Sequence, residues 1–320
     1  MPTTVTASAK SVSRAFSGME TREQYAVLLA TGLDDVLRED LKRPTEGGQW
    51  YRPYSMNKAT VTIQKTYGMG PARQNRDADE LPVDQGGVGF SQTFSTNTFR
   101  NAVVIERNLI EDELYGEIKR RQSDLVESMR LAKELVFADG LNRALGTSGA
   151  PFICEDGMYL LDDSRPRAYD KTGTWSNLEA ASAITPTSIY TAQLNFAAHK
   201  DTRGQKTPLM LKKLIIRPQD EKTVWEILQS DLRPTDANNA KNFQKGRFEY
   251  TVYNFLDSAL VFYLADDPKS QKNELLFLNR VSPQVEEVET GNPDVMSHRI
   301  RARFGIGCGL PTIWRGGTVS

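Results

Sequence analysis

The stretch that decides the fold is residues 111–145, EDELYGEIKRRQSDLVESMRLAKELVFADGLNRAL. Three carboxylates open it, where the free amide groups of a helix start favour negative charge. Gly146 follows it, and glycine ends helices well because it adopts the left-handed conformation at little cost. At ~1.5 Å per residue this segment predicts a spine helix ~50 Å long. Its apolar residues recur at three- and four-residue steps, or sums of them, and so share one side; they are Leu114, Ile118, Leu125, Met129, Ala132 and Val136.

The composition excludes several classes of protein. The chain has 320 residues, which is enough for one large or two ordinary domains with a real core. Forty basic and forty-one acidic side chains give a net charge of −1, which argues against nucleic-acid binding through a strong overall positive field and leaves a local basic patch as the alternative. No run approaches the ~20 apolar residues of a membrane span, and the first residues lack the apolar core of a signal peptide.

Cys154 and Cys308 are the only cysteines, and the chain contains no CxxC motif. We therefore expect neither a disulfide framework nor a cysteine-rich zinc site, and the sequence fits a reducing compartment. Cys308 is expected to be a small buried hydrophobic residue rather than a nucleophile.

The N-terminal region divides into a polar part and a predicted helix. Residues 1–20 are small and polar, which indicates either a disordered tail or an arm that orders only against a neighbouring subunit. Thr21 and Gln24 have capping-box spacing and start a helix. The apolar face of that helix consists of Tyr25, Leu28, Leu29, Leu33, Val36 and Leu37.

Two extended runs predict a long β-hairpin between residues 59 and 105. The first alternates apolar and polar residues from Ala59, and the second is FSQTFSTNTFRNAVVI, residues 90–105. Sixteen residues at ~3.3 Å would reach ~50 Å. A lone hairpin is marginal in water, so it either joins the body's own sheet or lies on another subunit. Its length and alternating faces favour the second, with these candidate intersubunit contacts: Val61, Ile63, Phe90, Phe94 and Phe99.

The second half of the chain predicts a compact α/β unit followed by further strands. Thr185-Pro186 opens a helix, residues 209–216 form a buried strand, and Pro218 opens another helix. Residues 251–255 and 259–265 follow as strand candidates. The last well-patterned strand, 297–306, has an arginine face that either contacts a neighbouring subunit or pairs with acids on an adjacent strand; its members are Arg299, Arg301 and Arg303.

Catalytic motifs are absent from the sequence. It has no phosphate loop, no nucleophile elbow and no HExxH motif. Residues 305–309, GIGCG, superficially resemble a dinucleotide loop, but Leu310-Pro311 follows instead of a helix, which favours a flexible strand end. His199 is expected in its cationic form at a helix end, and it is too far from His298 to suggest a metal site. We therefore predict no catalytic residue, no metal, no cofactor and no enzymatic activity.

The order of these parts resembles the major capsid proteins of tailed bacteriophages, whose Hong Kong 97-like fold is shared with encapsulins. The local likeness lies in RPQDEKTVWEILQS, residues 217–230, and in NNAKNFQKGRFEYTVYNFLDSALVFYLAD, residues 238–266. The resemblance implies an α+β fold with an N-terminal arm and helix, an extended loop, a peripheral domain with the spine helix, an axial α/β domain and a return to the peripheral domain. These parts would be residues 1–46, 47–107, 108–184, 185–270 and 271–320.

The resemblance also implies a function and partners. Family members assemble through pentamers and hexamers into an icosahedral shell around double-stranded DNA, which makes this chain a virion protein assembled in the host cytoplasm. Scaffolding, portal and decoration proteins are candidate partners, DNA contact is weak and non-specific, and no membrane is involved. Lys58 or Lys65 could serve an isopeptide cross-link, but no partner is evident and the bond is not predicted. An encapsulin-type cargo shell, a soluble α+β enzyme and another virion protein such as a tail tube are the alternatives.

Overall fold

A computed structural model of the chain describes residues 43–72, 74, 83–84, 86–106, 115–146, 152–169, 173–179, 183–232, 241–257, 259–289 and 295–318. The predicted arm 1–20, the predicted helix from Thr21 and most of the hairpin tip lie outside these residues. The chain divides into two compact units. The first unit contains residues 100–130 and 283–301, and the second contains residues 44–99, 131–282 and 302–320.

The predicted spine helix is confirmed as α1, Tyr115–Asn142, which is 28 residues long. Its residues up to Arg130 belong to the first unit and those from Leu131 to the second. Gly146, just beyond the final turn, has a φ of 66°, the left-handed conformation expected of a glycine that ends a helix. The predicted start at residues 111–114 lies outside the described residues.

A five-stranded sheet forms the core of the second unit. Its strand order is β7 (Leu178–Glu179), β13 (Trp314–Thr318), β10 (Leu260–Leu264), β8 (Lys213–Ile216) and β9 (Glu249–Val252). All five residues of β10 are buried, as expected for a central strand that is covered on both faces. The strands predicted at residues 209–216 and 259–265 are therefore confirmed, as β8 and β10.

Two helices accompany this sheet, α2 (Pro186–Ala197) and α3 (Glu221–Gln229). The Thr185 side chain accepts a hydrogen bond from the Ser188 amide, and the Ser188 hydroxyl accepts one from the Thr185 amide, which completes a capping box. The helix start predicted from Thr185-Pro186 is confirmed.

The final strand, β13, lies next to β10 in this sheet. It pairs antiparallel with β10, in the register Phe262↔Gly316, and parallel with β7. A residue with a Cβ at Gly316 would approach the Leu161 side chain within 2.4 Å, so this glycine lets the strand pack closely against the core. The division of the chain into five parts stays a prediction.

The hairpin is shorter than predicted. β2 (Thr60–Tyr67) pairs with β3 (Gly87–Ser95) as a separate two-stranded sheet, in the register Val61↔Phe94. With 8 and 9 residues, the strands span about 25–30 Å rather than ~50 Å. We call β2, β3 and the residues between them the hairpin.

The prediction of a single strand over residues 90–105 is wrong, because the chain leaves the two-stranded sheet of the hairpin at Thr96 and enters another sheet. Beyond it, β4 (Asn97–Glu106) joins a four-stranded sheet with the order β1 (Arg52–Ser55), β11 (Leu275–Glu289), β12 (Val295–Cys308) and β4. The break coincides with a close approach: a Cβ at Gly305 would lie 3.0 Å from the Ser95 carbonyl oxygen. Glycine at this position lets the end of β3 touch β12.

The glycines of residues 305–309 are packing positions and not a flexible strand end. Gly305, Gly307 and Gly309 are all buried. A Cβ at Gly307 would lie 2.4 Å from the Phe94 ring, and one at Gly309 would lie 2.4 Å from the Glu274 carboxylate. Gly305 and Gly307 therefore lie on a closely covered face of β12, and Gly309 is closely packed just beyond the strand, which corrects the prediction.

Cys154 and Cys308 form a disulfide, contrary to the sequence-based expectation. Their Cα atoms are 4.6 Å apart, and the two side chains are 2% and 0% exposed. The residues are 154 positions apart in sequence, so their proximity follows from the tertiary fold and no spacing motif could reveal it.

Candidate assembly surfaces

The base of the hairpin packs on its own subunit. Phe94 is 5% exposed and forms a small apolar cluster with Met56, Leu276 and Leu278. The predicted contact residues Val61 and Ile63 are half-buried against the same cluster. The hairpin therefore has an apolar contact on its own chain, formed between β2, β3 and β11. Whether it also lies on another subunit stays a prediction.

A partly buried ion-pair cluster holds β2 at Lys65, whose side chain is 32% exposed. The Lys65 ammonium pairs with the carboxylates of Glu155, at 3.6 Å, and of Glu274. Burial lowers the pKa of Lys65 and raises that of Glu155, while their mutual attraction opposes both shifts. Glu274 also accepts a hydrogen bond from the Leu310 amide at 2.5 Å. Lys65, considered above for a covalent cross-link, is thus engaged in ion pairs within its own chain.

The remaining aromatic candidates, Phe90 and Phe99, are both half-buried. Phe90 lies on β3. Phe99 stacks on Phe304, with ring centroids 4.2 Å apart and an interplanar angle of 7°. The part of Phe99 that stays accessible lines a groove of about 750 Å³, to which Leu135 and Phe255 also contribute.

The arginine face of β12 pairs with an acid on the adjacent strand, which is one of the two alternatives predicted. The Arg299 guanidinium lies 2.6 Å from the Glu286 carboxylate on β11. The hydrogen bond from Arg299 lowers the pKa of Glu286, and the charge of Arg301 lowers it further. Arg301 and Arg303 are half-buried. Whether any of the three also touches a neighbouring subunit stays a prediction.

The outer face of α2 is a candidate surface that the sequence analysis missed. It is exposed and carries no charged side chain, and its members are Thr187, Tyr190, Thr191, Leu194, Ala197 and Ala198. Tyr190 and Leu194 are 43% and 50% exposed, and Phe243, at 56%, meets the Tyr190 ring edge-on at 6.1 Å. The sequence does contain a feature that indicates this surface, since residues 180–198 include no charged side chain. We call these six residues the α2 outer face.

His199, just beyond α2, is 8% exposed. The predicted cationic form is wrong. Burial lowers its pKa to about 4, and the positive charge of Arg315 contributes to the shift. The imidazole therefore packs as a neutral ring, edge-on against Trp175 at 5.4 Å.

The described residues contain no group of three or more histidine, cysteine, aspartate or glutamate side chains placed to hold a metal ion. Among the helices in that part of the chain, none has the length and apolar character needed to cross a membrane.

Comparison with known proteins gives a family and a fold. Residues 90–320 match a family model described as phage capsid protein. The sequence has no significant match among curated proteins.

Three solved structures illustrate the similarity of fold. The procapsid protein of bacteriophage JBD30 is 14% identical, with a TM-score of 0.51. The match covers 94% of this chain and 76% of the JBD30 chain. A structure from Mycobacterium phage Patience is 8% identical over 91% of this chain and 86% of its own, with a TM-score of 0.54. The capsid of a native GTA particle is 9% identical, and the match covers 85% of this chain and 89% of the GTA chain, with a TM-score of 0.51. At these identities the likeness concerns the fold.

Proposed function

This chain belongs to the phage capsid protein family and is a major capsid subunit, a structural component of the virion, and we propose that its copies assemble through pentamers and hexamers into an icosahedral shell around double-stranded DNA. Such a shell repeats a few contacts between identical chains many times, so the subunit must present surfaces that suit another copy.

The observation that carries this proposal is the α2 outer face. A quarter of the residues in the chain are charged, yet an entire exposed helix face has none. Cores of subunit interfaces are depleted of charge and enriched in aromatic side chains such as Tyr190 and Phe243. Such a face suits burial against another copy of the chain.

The hairpin supplies a second proposed contact. Phe94 is covered by its own chain, whereas Met69, Val83 and Val88 on the distal part are 73%, 76% and 60% exposed. Isolated apolar side chains are common on surfaces, but three on one hairpin favour contact with another subunit. Among the predicted residues, we propose that the accessible parts of Val61, Ile63, Phe90, Phe99, Arg299, Arg301 and Arg303 lie near neighbouring copies.

The charge balance bears on the proposed partners. A net charge of −1 suits a capsid shell that binds packaged DNA only weakly and without sequence preference. Assembly would take place in the host cytoplasm, with a separate scaffolding protein and with portal and decoration proteins as further partners. The exposed α2 outer face and distal hairpin offer these partners apolar surface.

Sedimentation velocity of the purified chain over a concentration series tests the proposal. We expect species of five or six chains, or closed shells, to appear above a threshold concentration. A monomer throughout the series, and also after co-expression with a scaffolding protein from the same phage genome, contradicts the proposal.

A further inference from the structure

The guanidinium of Arg203 contacts two tyrosine rings of different segments. It is 4.8 Å from the ring centroid of Tyr169 and 5.6 Å from that of Tyr67, the last residue of β2. The two rings also meet each other edge-on, with centroids 5.4 Å apart. The Arg203 side chain is 9% exposed, and cation–π contacts are strongest where water is largely removed.

The same guanidinium binds the other side of the hairpin. It lies 2.7 Å from the carboxylate of Asp84, and that carboxylate also accepts a hydrogen bond from the Gly70 amide at 2.6 Å. Gly70 and Asp84 flank the tip of the hairpin. Arg203 therefore contacts the outgoing strand through Tyr67 and the returning chain through Asp84.

The loop that carries Arg203 is itself held in shape. One oxygen of the Asp201 carboxylate accepts hydrogen bonds of 2.9 Å from the amides of Arg203 and Gln205. Gly204 has a φ of 81°, and a Cβ there would lie 2.8 Å from the Arg167 guanidinium. A left-handed glycine and an internal acceptor thus preset the direction of the Arg203 side chain.

We propose that Arg203 is the positioning residue of the hairpin: it holds the distal hairpin on its own subunit, so that Met69, Val83 and Val88 are oriented before a second copy arrives. The part of this inference that concerns the second copy rests on the proposed function. A segment that is ordered in advance loses less conformational entropy when it binds, so the fixed hairpin favours assembly at lower concentration.

A distance measurement between two spin labels tests the positioning role in the full-length protein. The labels are attached at Met69→Cys on the hairpin and Thr223→Cys on α3, both exposed sites. Cys154 and Cys308 are buried in a disulfide and do not react. Unlabelled protein is added in excess so that only distances within one chain are recorded. We expect one narrow distribution when Arg203 is present.

Arg203→Ala should raise about tenfold the fraction of molecules in which the distal hairpin is detached from its own subunit, which corresponds to about 1.4 kcal/mol. These molecules broaden the distance distribution. Lys206→Ala is the matched control, because it removes an exposed cation from the same loop and should leave the distribution narrow. Arg203→Lys should restore the distribution partly, since lysine keeps the charge opposite Asp84 but loses the guanidinium group that contacts both rings.

Asp84→Asn gives the same test from the hairpin side if Arg203→Ala does not fold. Its side-chain oxygen can still accept the Gly70 hydrogen bond while the charge opposite Arg203 is lost, so we expect the same broadening. A folded Arg203→Ala protein with the distribution of Lys206→Ala overturns the proposal.

The assembly threshold tests the consequence for the second copy. Arg203→Ala should raise the concentration at which assemblies appear, whereas Lys206→Ala should not. If Arg203→Ala broadens the distances but assembles at the wild-type concentration, the proposed role in orienting the hairpin for a second copy is overturned. If neither the wild type nor the variant assembles while the distances behave as expected, the proposed shell function fails and the positioning by Arg203 stands.

Discussion

The hydroxyl of Tyr253 donates a hydrogen bond of 2.8 Å to the carboxylate of Glu134, a side chain of α1 that is 1% exposed. The same carboxylate oxygen accepts the Gly47 amide at 2.6 Å. Burial, together with the hydrogen bond to Glu134, raises the pKa of Tyr253, so its hydroxyl remains a donor over the physiological range. One glutamate therefore joins three segments that lie far apart in sequence.

Glu134→Ala should destabilise the second unit by about 3 kcal/mol, because a buried amide and a buried hydroxyl lose their acceptor and a cavity remains. Chemical denaturation measures this loss. Glu134→Gln keeps an oxygen acceptor of nearly the same shape and should retain most of the stability. Glu127→Ala, on the exposed side of the same helix, should change it by less than about 0.5 kcal/mol. Equal losses for the alanine variants at positions 134 and 127 would show that the buried contact has no special role.

The sequence predicted the spine helix, the strands β8 and β10 and the helix start at Thr185-Pro186, because each of these depends on residues close together in the chain. It did not predict that Glu134 is buried while Leu135 is 54% exposed. The reason is tertiary: the acceptor is required by Gly47 and Tyr253, which lie 87 and 119 residues away. The break at Thr96 was missed for the same reason, since it depends on the distant Gly305.

The Cys154–Cys308 disulfide leads to a second prediction. It closes a long loop, and removing such a bond by Cys308→Ala should lower the free energy of unfolding by about 2–5 kcal/mol. Adding Cys154→Ala should cost little more, because the bond is already absent. Alkylation under denaturing conditions without reductant, followed by mass spectrometry, should show two unmodified cysteines in the wild type. Two alkylated thiols would show that the bond does not form.

His199 should make stability depend on pH. Its pKa is lowered to about 4 in the folded protein and its ordinary value is 6.5, so between these values the unfolded state binds more protons. Stability therefore rises with pH across this window, and the wild type should lose about 2–3 kcal/mol between pH 7 and pH 4 through this residue.

The comparison with His199→Gln isolates this residue, because other groups also titrate in this range. Burial raises the pKa values of Glu155 and Asp156, and these shifts act in the opposite direction. Denaturation at each pH should show a shallower rise in stability with pH for the variant. Parallel profiles of the two proteins would mean that His199 is not buried in its neutral form.

The α2 outer face gives a prediction about assembly. Leu194→Glu places a charge where we propose that another copy packs, and it should raise the threshold concentration at least about tenfold. Because Leu194 is half exposed, the melting temperature should hardly change. Lys222→Glu on the exposed, charged face of α3 is the matched control. Assembly of Leu194→Glu at the wild-type concentration would exclude the α2 outer face as an interface.

The candidate surfaces could be predicted only in part. Alternation in β2 identified Val61 and Ile63 as members of one face, and the structure shows that this face packs on Phe94 of the same hairpin. The alternation of apolar and polar residues shows which side chains share a face of the strand, but it does not show what that face packs against. A face that packs within the chain and one that packs on another chain therefore have the same sequence pattern. The α2 outer face was recognisable as a run without charge, yet only the structure shows which of its residues are exposed.

Electron microscopy of the purified full-length protein tests the central claim most directly. We predict closed icosahedral shells, or rings of five and six subunits, in which the α2 outer face is covered by another copy. Single subunits or small closed oligomers at every salt and protein concentration, also in the presence of the scaffolding protein, would contradict the assignment of this chain as a self-assembling capsid subunit.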